Sequence, residues 1–120
     1  IKPNEIHSME LVGDVSGRNV IMVDDMADTL GTMKKAAELV IEKGANSVIA
    51  VATHGVLSGK AMENLKTSKM IKLMTSDTIP TVSEKGGFSE KMQVITCAEL
   101  IAKSIWSLSQ NKSIHEINAV

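Results

Sequence analysis

Two short apolar runs separated by one amphipathic stretch constrain this chain more than anything else in it. Val20, Ile21, Met22 and Val23 follow Asn19 without polar alternation, and Val48, Ile49, Ala50, Val51 and Ala52 form a second such run after Ala45 and Asn46. Runs of this kind read as strands buried on both faces of a parallel sheet. Between them, Met33, Ala36, Ala37, Val40 and Ile41 recur at i, i+3, i+4, i+7 and i+8, while Lys34, Lys35, Glu38 and Glu42 lie mostly off that stripe. The pattern predicts a helix from Thr32 to Lys43, stopped by Gly44. Strand, helix and strand over this length make a right-handed βαβ unit, so the fold class is α/β with a parallel sheet.

The alternation continues downstream. Ser58-Gly59 is expected to open a helix through Ala61, Met62 and Leu65, and Met70 to Met74 reads as the next strand. Thr75 to Glu90 carries Pro80, Gly86-Gly87 and several hydroxyl residues, a loop long enough to be expected near the site or at an interface. Met92 to Ile95 is a fourth strand candidate. Thr96 and Glu99 have capping-box spacing ahead of a last helix to about Ser109, with Ala98, Ile101, Ala102, Ile105 and Leu108 as its apolar stripe. Upstream, residues 1–8 read as an extended lead-in, Met9 to Val12 as a short edge strand, and Gly13 to Arg18 as a turn cluster. The tail from Asn111 to Val120, with Ile114 and Ile117, is read as a short strand.

At 120 residues and 43% apolar content the chain has the size and core material of one globular domain. A net charge of −1, one Phe, one Trp and no Tyr leave neither a basic face nor base-stacking aromatics, so nucleic acid is not an expected partner. One cysteine, Cys97, excludes an intrachain disulfide and fits a reducing, cytoplasmic setting. Apolar runs of about five residues fall far short of the ~20 a spanning helix needs, so no membrane is expected. The eight methionines are read as gap-filling core residues. The chain opens on Ile1 and not Met, which fits a processed product or a piece of something longer.

The chemistry concentrates between Val23 and Thr32, where the first strand hands over to the helix. Backbone amides at a helix N-terminus lack intrahelical partners and carry partial positive charge, so Asp28, Thr29, Leu30, Gly31 and Thr32 form a cradle for an anion such as phosphate. Thr29 and Thr32 add hydroxyls, and Gly31 lets the backbone turn tightly. Asp24 and Asp25 would repel the phosphate and should face sugar hydroxyls or a divalent cation. A phosphorylated sugar supplies both ends. Asp28 is expected to accept nearby amides in an Asx-type turn. The plainer alternative is a solvated Asp-Asp turn followed by an ordinary helix cap. His54, at the neighbouring strand end, either contacts ligand or bonds to nearby backbone. His7 and His115 have no metal-ligating neighbours in sequence, so no metal site is expected. Cys97 is read as a buried small residue. Neither Gly-x-x-x-x-Gly-Lys-Thr/Ser nor Gly-x-Gly-x-x-Gly occurs, which argues against the two common nucleotide loops.

Val23 to Thr32 resembles the ribose 5-phosphate loop of type I phosphoribosyltransferase-fold proteins. Together with Leu11-Val12-Gly13-Asp14-Val15, Ala52-Thr53-His54-Gly55, Ser58-Gly59 and Asp77-Thr78-Ile79-Pro80, it is similar to the ribose-phosphate pyrophosphokinase family over most of the chain. The resemblance implies a three-layer α/β domain of the phosphoribosyltransferase type. It also implies that residues 1–120 are the C-terminal half of a longer two-domain enzyme. Asp24 and Asp25 would then contact ribose hydroxyls, and Asp28 to Thr32 would hold the 5-phosphate. The implied reaction is transfer of diphosphate from ATP to C1 of ribose 5-phosphate, with Mg²⁺, in a homo-oligomer. The family's ATP segments and basic catalytic loop have no counterpart here, so no catalytic residue is assigned and the chain alone is expected to be inactive. Leu30 stands where the family usually has a small residue, so its side chain either crowds the phosphate or points away. A non-catalytic regulatory subunit of the same fold and a phosphoribosyltransferase are the alternatives.

Overall fold

In the computed structural model, residues 9–80 and 89–115 are described. Their elements run β1 (Asn19–Ala27), α1 (Gly31–Glu42), β2 (Ser47–Gly55), α2 (Ala61–Thr67), β3 (Lys72–Ser76), β4 (Met92–Ile95) and α3 (Ala98–Ser109). The four strands form one sheet in the order β1-β2-β3-β4, and every neighbouring pair is parallel. The expected parallel α/β architecture is therefore what the chain forms. Right-handed crossovers between strands that follow one another without reversal place their helices on one face.

That face holds the core. Val48, Ala50 and Ala52 of β2 and Leu73 of β3 alternate inward, joined by Met92 of β4 and partly by Val20 and Met22 of β1. α1 contributes Met33, Ala37 and Val40, and α2 contributes Ala61 and Leu65. The opposite face is open where β1 forms the edge, with Ile21 62% and Val23 79% exposed. This corrects the reading of Val20 to Val23 as buried on both sides: within this run the strand alternates, Val20 and Met22 packing partly against the core while Ile21 and Val23 face outward.

Local chemistry explains where α1 stops. Gly44 has φ of +95°, its amide donates to the Ile41 carbonyl, and the Ala45 amide donates to the Val40 carbonyl. This is the paired bonding of a Schellman motif, with Ala45 and Val40 both in the core. The glycine stop is borne out with its mechanism. At the other end of the molecule the expectation fails. The Thr96–Glu99 capping box does not form: Cys97 is the N-cap of α3 and makes no side-chain cap bond. Thr96 Oγ1 accepts the Ala98 amide, while Glu99 pairs with Lys103 at 2.6 Å. Cys97 is half-buried.

Other boundaries shift as well. β3 starts at Lys72 instead of Met70, and Met9 to Val12 form no strand. The apolar stripe of α3 faces outward, with Ile101, Ile105 and Leu108 exposed and only Ser107 buried. Ile114 and His115 form a short 3₁₀ turn where a strand was expected. Methionines divide: Met33, Met70 and Met92 are buried, but Met26 is exposed. Residues 1–8 with His7, the segment 81–88 of the long loop, and residues 116–120 lie outside the described residues.

One buried polar atom stands out in the core. Thr75 is 1% exposed, and its Oγ1 has no hydrogen-bond partner among the described residues. It sits under the end of β2, where a Cβ added to Gly55 would lie 3.1 Å from Thr75 Oγ1 and 3.2 Å from its carbons. Leaving a hydroxyl unsatisfied costs about 1–3 kcal/mol, which a valine of the same shape avoids. Thr75→Val should therefore raise the unfolding free energy by about 1 kcal/mol in urea denaturation, while Gly55→Ala should lower it by about 1–3 kcal/mol through overpacking.

Candidate functional site

β1 is longer than its apolar run. β2 continues as a partner through Gly55, with Asp24 opposite Ala52, Met26 opposite His54 and Ala27 opposite Gly55. Asp24 and Asp25 are therefore inside the strand and not in the loop after it, which corrects the expected position of the acidic pair. Consecutive strand residues point to opposite faces, so the two exposed carboxylates diverge. Asp24 Oδ1 also accepts the Asp25 amide at 2.8 Å, which fixes its orientation.

The turn into α1 is made by Leu30. Its φ of 61° and ψ of 8° are left-handed, and its side chain is 3% exposed, inside the core. The tight turn expected of Gly31 therefore belongs to Leu30, whose buried side chain offsets the roughly 1–2 kcal/mol cost of that conformation. The larger residue points away from the loop's outer surface. A Cβ on Gly31 would meet only Thr29 Oγ1, at 3.7 Å, so Gly31 keeps the approach to the helix start open.

No side chain caps α1, and its first turn contains no acidic residue. The Gly31 amide reaches Thr29 Oγ1 only at 3.5 Å. The Thr32 side chain is exposed and has no protein partner among the described residues. This end of the helix thus presents amides and a hydroxyl to solvent, the local chemistry that favours an anion.

Asp28 departs from the expected Asx-type turn. Its carboxylate accepts a hydrogen bond from the Ser58 hydroxyl. Asn64 Nδ2 donates to the Thr29 carbonyl at 2.9 Å, and Lys34 Nζ donates to Thr67 Oγ1 at 2.8 Å, so α2 braces both the loop and α1. His54 Nδ1 lies 2.8 Å from Thr78 Oγ1. Ser76 Oγ in turn donates to the Thr53 carbonyl at 2.6 Å, which links the ends of β2 and β3. The structure thus joins Asp28 to Ser58 and His54 to Thr78, while Asp25 stands on the other face of β1 from Asp24. Asn64 and Thr78 were not singled out from sequence. Asn64 carries no motif, being one polar position on a short helix, whereas Thr78 lies in a segment the family resemblance had already marked.

Among the described residues, no group of three or more His, Cys, Asp or Glu side chains is placed to hold a metal ion. Nor is any helix among them long and apolar enough to cross a membrane.

Residues 1–118 match the family described as phosphoribosyl synthetase-associated domain. The chain belongs to that family. It is 47% identical over 113 residues to ribose-phosphate pyrophosphokinase 3 of Saccharomyces cerevisiae, covering 94% of this chain and 35% of the relative. It is 39% identical over 116 residues to ribose-phosphate pyrophosphokinase of Aquifex aeolicus, covering 97% and 36%. Among solved structures it is similar to phosphoribosylpyrophosphate synthetase from Mycobacterium smegmatis, with a TM-score of 0.76 and 39% identity over 83% of this chain and 33% of that one. The chain spans about a third of the length of the curated relatives it matches.

Beyond the loop, Asp77 organises the same end of the sheet. Hydrogen bonds from the Thr96 side chain and the Cys97 amide hold its carboxyl below the usual aspartate range. A depressed folded-state pKa means that this stabilisation is complete above the ordinary aspartate value and is lost as pH falls through the lowered one. On acid titration by NMR, the Cys97 amide resonance should move only below the ordinary aspartate range, and Asp77→Asn should abolish that movement.

Proposed function

We propose that this chain is the ribose 5-phosphate-binding domain of a ribose-phosphate pyrophosphokinase, corresponding to its C-terminal, type I phosphoribosyltransferase-like half. The observation that carries the reading is the uncapped start of α1, preceded along β1 by the exposed Asp24 and Asp25, in a chain 47% identical to a relative of that name. The first-turn amides with Thr29 and Thr32 take the 5-phosphate, and Asp24 and Asp25 accept hydrogen bonds from the ribose hydroxyls. Asp28 shapes the loop, Leu30 and Gly31 contribute backbone, and His54 borders the site from β2.

The whole enzyme would transfer the diphosphoryl group of ATP to the C1 hydroxyl of ribose 5-phosphate, supplying nucleotide biosynthesis from the cytoplasm as a homo-oligomer. Mg²⁺ would arrive with ATP as its complex, consistent with an ion that keeps few protein ligands and is held largely by phosphates. Positioning and electrostatic stabilisation carry such a transfer, and the ATP side of it belongs outside residues 1–120. The chain alone should therefore form no phosphoribosyl pyrophosphate from ATP and ribose 5-phosphate, and turnover at the rate of an intact enzyme would sink the half-site reading.

A second reading, a non-catalytic subunit that assembles with the synthetase, draws support from the family's description as synthetase-associated. Titration calorimetry separates the two. Under the leading reading ribose 5-phosphate binds, and Thr29→Ala with Thr32→Ala weakens it by about tenfold for each hydroxyl removed. A chain that does not take up ribose 5-phosphate would leave the subunit reading standing.

A further inference from the structure

Three consecutive residues of the turn into α1 are fastened by the segment that follows β2. The Leu57 amide donates to the Ala27 carbonyl at 3.0 Å, the Ser58 hydroxyl donates to the Asp28 carboxylate, and Asn64 Nδ2 donates to the Thr29 carbonyl at 2.9 Å. The first is a backbone bond and is indifferent to side chains. The second ends on a residue already placed in the site. Only the third joins the loop's backbone to a side chain that lies outside the loop.

The geometry of a peptide unit gives that bond a consequence. A trans peptide is planar and holds its carbonyl and its N–H on opposite sides. The Thr29 carbonyl shares a plane with the Leu30 amide. Drawing the carbonyl toward Asn64 therefore turns the Leu30 N–H away from Asn64. A flip of this one peptide would reverse the amide, and it would also release Leu30 from its left-handed φ of 61°. The conformation thus carries a local cost that favours flipping, and the Asn64 bond opposes it alongside the burial of the Leu30 side chain.

We propose that Asn64 is a positioning residue: through the Thr29 carbonyl it sets the Leu30 amide for phosphate, so that the anion cradle is formed before ligand arrives. The inference rests on the ribose 5-phosphate reading and adds to it a residue on α2. Preorganisation of this kind acts on affinity by removing an ordering cost from binding. It acts on the phosphate end of the ligand and leaves the hydroxyl end at Asp24 and Asp25 alone.

The test compares ribose 5-phosphate with ribose on this chain and on two variants. Asn64→Leu keeps the shape and the neutral charge but removes the donor, and Asn64→Gln keeps the amide on a longer stem. Asn64→Leu should weaken ribose 5-phosphate by about tenfold and ribose by much less, with Asn64→Gln recovering part of the loss. Asn64 is half-buried on α2, and thermal melts should place both variants close to the unsubstituted chain. If the unsubstituted chain binds ribose 5-phosphate and Asn64→Leu binds it equally well, or loses ribose in the same proportion, the positioning role is overturned while the binding reading stands. If the unsubstituted chain does not bind ribose 5-phosphate, the binding reading itself falls and takes this inference with it.

Discussion

The buried side chain of Leu30 is what the site depends on. At 3% exposure it belongs to the same core as Met33, Ala37, Val48 and Leu65, yet its backbone is the left-handed turn from which α1 starts. Burying a leucine contributes about 1.5–3 kcal/mol, comparable to or larger than the cost of a positive φ outside glycine. The core therefore holds the turn, and the turn leaves the first amides of α1 without a capping side chain. A polar residue at position 30 would cap the helix in the ordinary way and fill the place an anion would take. A glycine there would adopt the turn with less strain and without this anchor.

How much of this could be read from the sequence varied with the range of the interaction that decides each feature. The stripe of Met33, Ala37 and Val40, the stop at Gly44 and the strand from Met92 to Ile95 are set by spacing and by local bonds, and they stand where the residues place them. β1 was cut short because Asp24 and Asp25 look like loop residues. Their strand conformation comes from Ala52 and His54 alongside, a partner that no local pattern reveals. The Thr96–Glu99 box failed for a related reason: Asp77, twenty residues earlier, accepts the Cys97 amide, and Lys103 draws Glu99 aside. In the site, Thr29, Gly31 and Thr32 stood out in the sequence, and they lie at the uncapped start of α1. The side chain that braces the loop there, Asn64, did not stand out.

Periodicity also reports which residues are apolar without saying what covers them. The inward positions of β2 and β3 meet α1 and α2, while Ile21 and Val23 on the edge strand and Ile101, Ile105 and Leu108 on α3 are apolar and exposed. Strands in unbroken sequential order account for the first half of this. Crossovers of one hand load one face of the sheet, so a pattern apolar on both sides gains helical cover on only one of them.

The same order bears on how a ligand site arises here. In open α/β sheets the crevice usually lies where strand order reverses, and β1 to β4 contain no reversal. The concavity must then come from the connections at the carboxyl ends, and their hydrogen bonds are arranged for that. Ser58 and Asn64 tie the turn after β1 to the segment after β2, and Ser76 with Thr78 ties the end of β2 to the segment after β3. Each strand end is thus held by the next one along the sheet. Since Ser58 donates to the Asp28 carboxylate, that carboxylate is already hydrogen-bonded, and under the proposed function the repulsion it would exert on a phosphate at the start of α1 is reduced. The acidic residues that remain free of such ties, Asp25 above all, lie back along β1, where the hydroxyl groups of a sugar would suit them and a phosphate would not.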